Sequence, residues 1–357
     1  MNRYRATQRS FVIAIFLLAI GGCATPPMKT VESTPPAPGS VLKSLNVDRA
    51  LEDRILALDP QHISDEDVRV TLGAVPAPQL ILVHGGLYPV HLVMVSFADF
   101  LVSMGYPEAK IRRPDGGHES LYSYSPYEDS KEITGVLAWH YERDGVRPMM
   151  IGHSQGGVQL VKVLYDLAGA DGAEIHVWNP VAGAPEERTS IVDPLTGATR
   201  PVVGLTVPYA SAVGVGVAAL ALPNQWNMVA RVRDIPNSVE DFTGYAIGID
   251  IAAGTFPGAR GISQFHHNGT ANVRNVILPW WYNHVFVPAS RDLAASKAMR
   301  NWINAYVPDH PEQADTLPNE PNVNVWWTAD VWYSIKEHWC LEAQRLVRAK
   351  RASVAKQ

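Results

Sequence analysis

A chain of 357 residues, 46% hydrophobic and 18% charged, carries enough apolar side chains for one large domain or two modest ones. Its formal charge of -5 offers no basic surface, which excludes DNA and RNA as partners. The cysteines are Cys23 and Cys340, so if Cys23 is modified no internal disulfide can form and stability must come from the core.

At the N-terminus, Arg3, Arg5 and Arg9 precede an apolar run over residues 11–20, and Gly21 and Gly22 lead to Cys23. This is the layout of a secretory signal, and the run is too short to span a bilayer. The ending I-G-G-C resembles the lipobox of bacterial lipoproteins. That resemblance implies cleavage after residue 22 and a lipid (palmitate) on Cys23. With Ala24 in place of an aspartate, it further implies an outer-membrane anchor facing the periplasm. Residues 23–45 are rich in Pro, Ser and Thr and read as an extended tether that holds the body off the membrane. Residues 47–58 predict a short amphipathic helix.

From Gln79 onward strands alternate with helices, which predicts an α/β fold with a mostly parallel sheet covered by helices on both faces. The expected strands are residues 80–83, 109–112, 149–151, 174–178, 228–232 and 273–278. Between residues 186 and 227 the rhythm breaks into Thr, Gly, Pro and Ala-rich sequence with the run V-G-V-G-V-A-A-L-A-L. It reads as an apolar insertion, a lid or cap over the site. The body spans residues 46–310, and residues 311–357 form a C-terminal extension. In that extension Trp326, Trp327, Trp332, Tyr333 and Trp339 have the spacing of a helix packed against the body, and Cys340 reads as a small buried residue.

Residues 151–157 read I-G-H-S-Q-G-G, with an apolar strand signal before and helical spacing after. A serine on so sharp a strand-to-helix turn is strained and exposed, which makes Ser154 the expected nucleophile. Together with L-I-L-V-H-G-G at residues 80–86 and a histidine after a late strand, these motifs resemble the α/β-hydrolase superfamily, within it the lipases and esterases. The resemblance spans about residues 80–307. It implies a nucleophile, an acid and a base in that chain order. His284, after a strand-like V-R-N-V-I-L-P, is the implied base, with His266 and His267 in reserve and His176, His310 and His338 less well placed. Asp250 is the leading acid, with Asp241, Asp234 and Asp193 as rivals. The implied oxyanion hole uses the amide of Gln155 and amides of the turn at Gly86 and Leu87. His84, His153 and the Gln155 side chain are expected to shape these turns and to transfer no proton.

The expected reaction is hydrolysis of a hydrophobic carboxylic ester through an acyl-enzyme, with no metal or organic cofactor. An amidase or acyltransferase with the same triad, or an inactive envelope binding lipoprotein on the same fold, are the alternatives.

Overall fold

The computed structural model describes residues 30–32, 34–114, 121–216, 220–221, 223–255, 264–310, 315–318 and 324–355. The leader at residues 1–22 and Cys23 lie outside these. The strands β1 (Leu80–Val83), β2 (Met149–His153), β3 (Val207–Val213), β4 (Val239–Ile247) and β5 (Asn272–Leu278) form one sheet in chain order. Every neighbouring pair is parallel. The first three are buried at every residue, as a sheet covered on both faces requires.

The helices are α1 (Ser40–Ser44), α2 (Arg49–Ala57), α3 (Tyr88–Ser103), α4 (Ser130–Asp144), α5 (Gln155–Leu167), α6 (Lys297–Ala305) and α7 (Val325–Val354). Successive strand side chains point to opposite faces. Leu80 and Leu82 therefore join a core with Leu42, Ile55, Phe97, Ile303 and the tryptophans of α7. Ile81 and Val83 join a second core with Ile133 of α4 and Leu160 and Leu164 of α5. In α7, Trp327, Val331, Trp332, Ile335 and Trp339 repeat at three- and four-residue spacing and are fully buried. Within the C-terminal extension, α7 thus packs against the body, as the spacing of its aromatic residues predicts.

The sheet differs from expectation in three places. Residues 109–112 form no strand but begin in a 3-10 turn (Glu108–Lys110), because Ile111 is their only deeply buried apolar side chain, and among the described residues Tyr124 bridges the other edge of β1. In residues 174–178, Ile175 and Val177 are buried, but only Trp178–Asn179 pairs, antiparallel with Ala184–Pro185 and outside the main sheet. Residues 228–232 are a turn. The third strand is Val207–Val213, inside the segment expected to be an insertion. Its small residues Ala210, Ser211 and Ala212 permit close packing between two helical layers, which on sequence alone resembled a loop. Residues 217–219 and 222 of that segment lie outside the described residues.

The expected tether at residues 23–45 is also shorter than its composition suggested. The Val31 N–H donates to the Pro185 carbonyl at 2.9 Å, and Leu42 and Leu45 are buried in the first core. The apolar residues carried by the Pro-rich stretch draw it onto the body.

Candidate active site

β2 ends at His153, Ser154 turns the chain and α5 starts at Gln155. Ser154 has φ 57° and ψ -123°, a conformation that L-residues other than glycine rarely adopt and that surrounding structure must hold in place. The hold comes from both sides. The Ser154 N–H donates to the Val213 carbonyl at 2.9 Å, which ties the turn to β3. A Cβ on Gly156 would stand 2.2 Å from the Val83 carbonyl oxygen, so only glycine lets the first turn of α5 rest on the end of β1.

His284 lies in the loop after β5, and Asp250 lies in a turn three residues after β4. Paired 2.8 Å hydrogen bonds between the backbones of Asp250 and Thr255 close that turn. The Asp250 side chain is buried and its Oδ1 accepts the Ala253 N–H at 3.1 Å. Its Oδ2 accepts the His284 Nδ1–H at 2.6 Å. With that proton on Nδ1, Nε2 is left to accept the Ser154 Oγ–H at 2.8 Å. Gly214, with φ 62°, passes behind the pair. A Cβ there would stand 3.0 Å from His284 Nδ1 and 3.5 Å from Asp250 Oδ2, so the residue after β3 must be glycine for the ring to seat.

The loop after β1 closes the other side of Ser154. A Cβ on Gly85 would lie 3.0 Å from the Ser154 Cβ, which puts this backbone in contact with the serine. His84 Nδ1–H donates to the Gly85 carbonyl at 2.6 Å, and the Tyr127 hydroxyl donates to the Gly86 carbonyl at 3.2 Å. Both carbonyls are thereby occupied. Leu87 caps α3 and Gln155 opens α5, so two helix N-termini, whose free amides and dipoles favour negative charge, meet beside the serine.

Two supports carry little sequence signal. His153 is fully buried, and its Nε2–H donates to the His284 carbonyl at 2.6 Å, with the two rings 5.3 Å apart. Its other nitrogen has no partner among the described residues. Burial, with the neighbouring His284, pushes its pKa down to about 3, so it stays neutral and fixes the His284 backbone without competing for the proton. From behind, Asn324 Nδ2 donates to the carbonyls of Phe286 and Ala289 at 2.8 Å each. The Tyr282 hydroxyl oxygen accepts the N–H groups of Trp326 and Trp327 at 3.0 and 3.3 Å. The start of α7 therefore braces the loop that carries His284. Unmet amides at a helix N-terminus were the available cue, though nothing in the sequence said which oxygen would meet them.

The rival residues have other partners. Asp241, at the start of β4, accepts from His338 Nε2 at 3.0 Å and Asn272 Nδ2 at 2.6 Å. Burial alone would lower the His338 pKa, but the bonds to Asp241 and the Ser334 carbonyl raise it instead. Asp193 accepts the Tyr141 hydroxyl and caps its own turn, while Asp234 and His266 pair strand to strand. His267 is exposed next to that pairing, His176 donates to the Glu186 carbonyl, and His310 is exposed near the end of α6. None of these is brought to Ser154.

No protein-family model matches the chain, and no curated protein matches it.

Proposed function

We propose that this chain is a serine hydrolase of the α/β-hydrolase type, cleaving carboxylic esters with hydrophobic acyl groups, and that it is anchored to the outer membrane through a lipid on Cys23. The observation that carries the catalytic reading is the unbroken hydrogen-bonded series from Ser154 through His284 to Asp250, at 2.8 and 2.6 Å, on a strained turn at a helix N-terminus. Such a series is what acyl transfer requires, since a serine hydroxyl is a weak nucleophile until an imidazole takes its proton.

His284 Nε2 accepts the hydroxyl proton as Ser154 Oγ adds to the ester carbonyl. Asp250, already holding Nδ1–H, stabilises the imidazolium that results. The negative charge on the former carbonyl oxygen is met by the amide of Gln155 and amides of the turn at Gly86 and Leu87. His284 then protonates the departing alkoxide, leaving an acyl group on Ser154. Water gives its proton to Nε2, attacks that acyl group and regenerates the serine.

The test is turnover of p-nitrophenyl esters of graded chain length by the full chain. Ser154→Ala and His284→Ala should each lower kcat by about 10⁴-fold to 10⁶-fold. A fluorophosphonate probe should label the parent at Ser154. A parent chain that neither turns over any ester nor takes the probe would remove this reading.

A further inference from the structure

Three segments surround the serine at the carboxyl end of the sheet, the turn after β1 with most of α3 and the described stretches directly after β4 and β5, and their composition is unusual for a surface. Residues 84–98, 247–255 and 279–290 contain no Lys, Arg or Glu, and their one Asp is the buried Asp250. Large apolar side chains face solvent instead: Leu87 and Tyr88 beside the turn after β1, Ile251 beside the acid, and Trp280, Trp281 and Phe286 on the loop of the base. Ile251 is 85% exposed, Tyr88 74% and Trp280 69%. These side chains follow the ends of three parallel strands of one sheet, so they stand at the same end as Ser154. Contiguous exposed apolar surface of this kind marks an interaction site, and exposed tryptophan is the residue suited to a lipid–water boundary.

The chain also joins the body at this same end. Thr30 lines a cavity of about 360 Å³ with Asp129, Lys131, Glu132 and Trp178. Asp129 is the N-cap of α4, and a crossover helix starts where the preceding strand ends. Two residues earlier, Tyr127 donates to the Gly86 carbonyl, which ties the start of α4 to the turn after β1. Seven chain steps separate Cys23 from Thr30. Fully extended, they reach about 25 Å at most. A lipid on Cys23 is therefore too close for the body to stand away from the leaflet, and the attachment lies on the same side as the exposed apolar side chains.

We propose that the carboxyl end of the sheet rests against the membrane leaflet that holds the anchor, with Trp280, Trp281, Ile251 and Tyr88 in the boundary region, and that the serine takes its ester from that leaflet. The substrate class is a membrane lipid ester. This inference rests on the anchored-hydrolase reading, and the two can fail separately.

The experiment uses the full chain, purified from membranes and reconstituted into phosphatidylethanolamine–phosphatidylglycerol vesicles. An environment-sensitive fluorophore is placed on Ile251→Cys and, as a control at the opposite end of the sheet, on Glu240→Cys. The expected result is a blue-shifted probe at 251, quenched several-fold more by brominated lipid than the probe at 240. In parallel, Trp280→Ser/Trp281→Ser should lower the ratio of turnover on vesicle-borne ester to turnover on soluble ester by about tenfold. Mass spectrometry of the N-terminal fragment and turnover of the soluble ester report on the underlying reading. A lipidated, ester-cleaving chain whose probes at 251 and 240 both stay in water, and whose turnover ratio is unmoved by the double substitution, overturns the membrane seating alone. A chain with no lipid on Cys23 overturns the anchor and the seating together.

Discussion

The two ends of the central sheet are built from opposite chemistries. At the amino end, Arg147 bonds to both Glu240 and Glu342, and Arg345 holds Glu342 from the next turn of α7. Asp241 pairs with His338, and Arg274 makes two bonds to Asp330. At the carboxyl end, residues 84–98, 247–255 and 279–290 hold one acidic or basic side chain other than histidine, Asp250, buried and committed to His284. The difference separates two duties. Ion pairs lock the strand starts to α7, whereas the strand ends keep a strained serine and a surround with few charges, in which the Ser154–His284 hydrogen bond is not weakened by competing charge.

The largest effect that would sharpen this contrast is expected from Asp250→Asn. It preserves shape but removes the carboxylate that fixes the His284 tautomer, and kcat should fall about 10³-fold to 10⁴-fold while the urea midpoint barely moves. A deep loss of stability together with activity would blur the division between the ends. The mirror experiment is Glu342→Ala. Burial alone would push the Glu342 pKa up, yet Arg345 and Arg147 hold it below its ordinary 4.5. Removing this buried partner leaves Arg345 without its carboxylate and Arg147 with Glu240 alone, and should cost about 3–5 kcal/mol in urea unfolding, with kcat unchanged below the transition. The stability this pair supplies is complete above the unfolded value of 4.5 and is lost as pH falls through the lower folded value. Urea midpoints of parent and variant should therefore converge as the buffer is taken below pH 4.5.

Next in size is His153→Leu, which deprives the His284 carbonyl of its donor. A fall in kcat of about tenfold to hundredfold is expected, with partial recovery in His153→Gln, which retains an N–H. The same residue sets an acid slope. Between its ordinary value of 6.5 and about 3, the unfolded chain binds a proton that the folded chain refuses, so stability drops as pH falls through that window. Stepwise urea titrations should show a shallower slope in His153→Leu, and an identical slope would remove the neutral assignment. The smallest effect is expected from Tyr282→Phe. Loss of one hydroxyl that accepts two helix amides should cost about 1–2 kcal/mol and lower kcat a few-fold, read by thermal melting and ester turnover.

The site was more legible in the sequence than the sheet that holds it. Ser154 and Gly156 announce a turn that few other backbones need, and chain order alone puts the acid and base beyond them. That order leaves six histidines and four aspartates open. His284 stands out by following a late strand and Asp250 leads its rivals by spacing, and the structure brings His284 to Ser154 and Asp250 to His284. The strands were harder to read because burial on both faces removes alternation. In β3 the sequence V-P-Y-A-S-A-V has proline and small residues where a strand signal would have valine and isoleucine. The segment therefore reads as part of an insertion, although its packing between α5 and α7 demands small side chains. The brace from Tyr282 and Asn324 was illegible for another reason. It joins residues 35 to 45 positions apart through bonds that neither local sequence requires.

That brace also imposes an order of assembly. Ser154, Asp250 and His284 all leave the ribosome before Asn324, and the amides that hold the Tyr282 hydroxyl belong to the first turn of α7. A nascent chain lacking the last helix presents its first core uncovered, from Leu80 and Leu82 to Phe97, and a histidine loop with nothing behind it. The support behind His284 is thus completed only by a helix that follows Ser154, Asp250 and His284 in the chain.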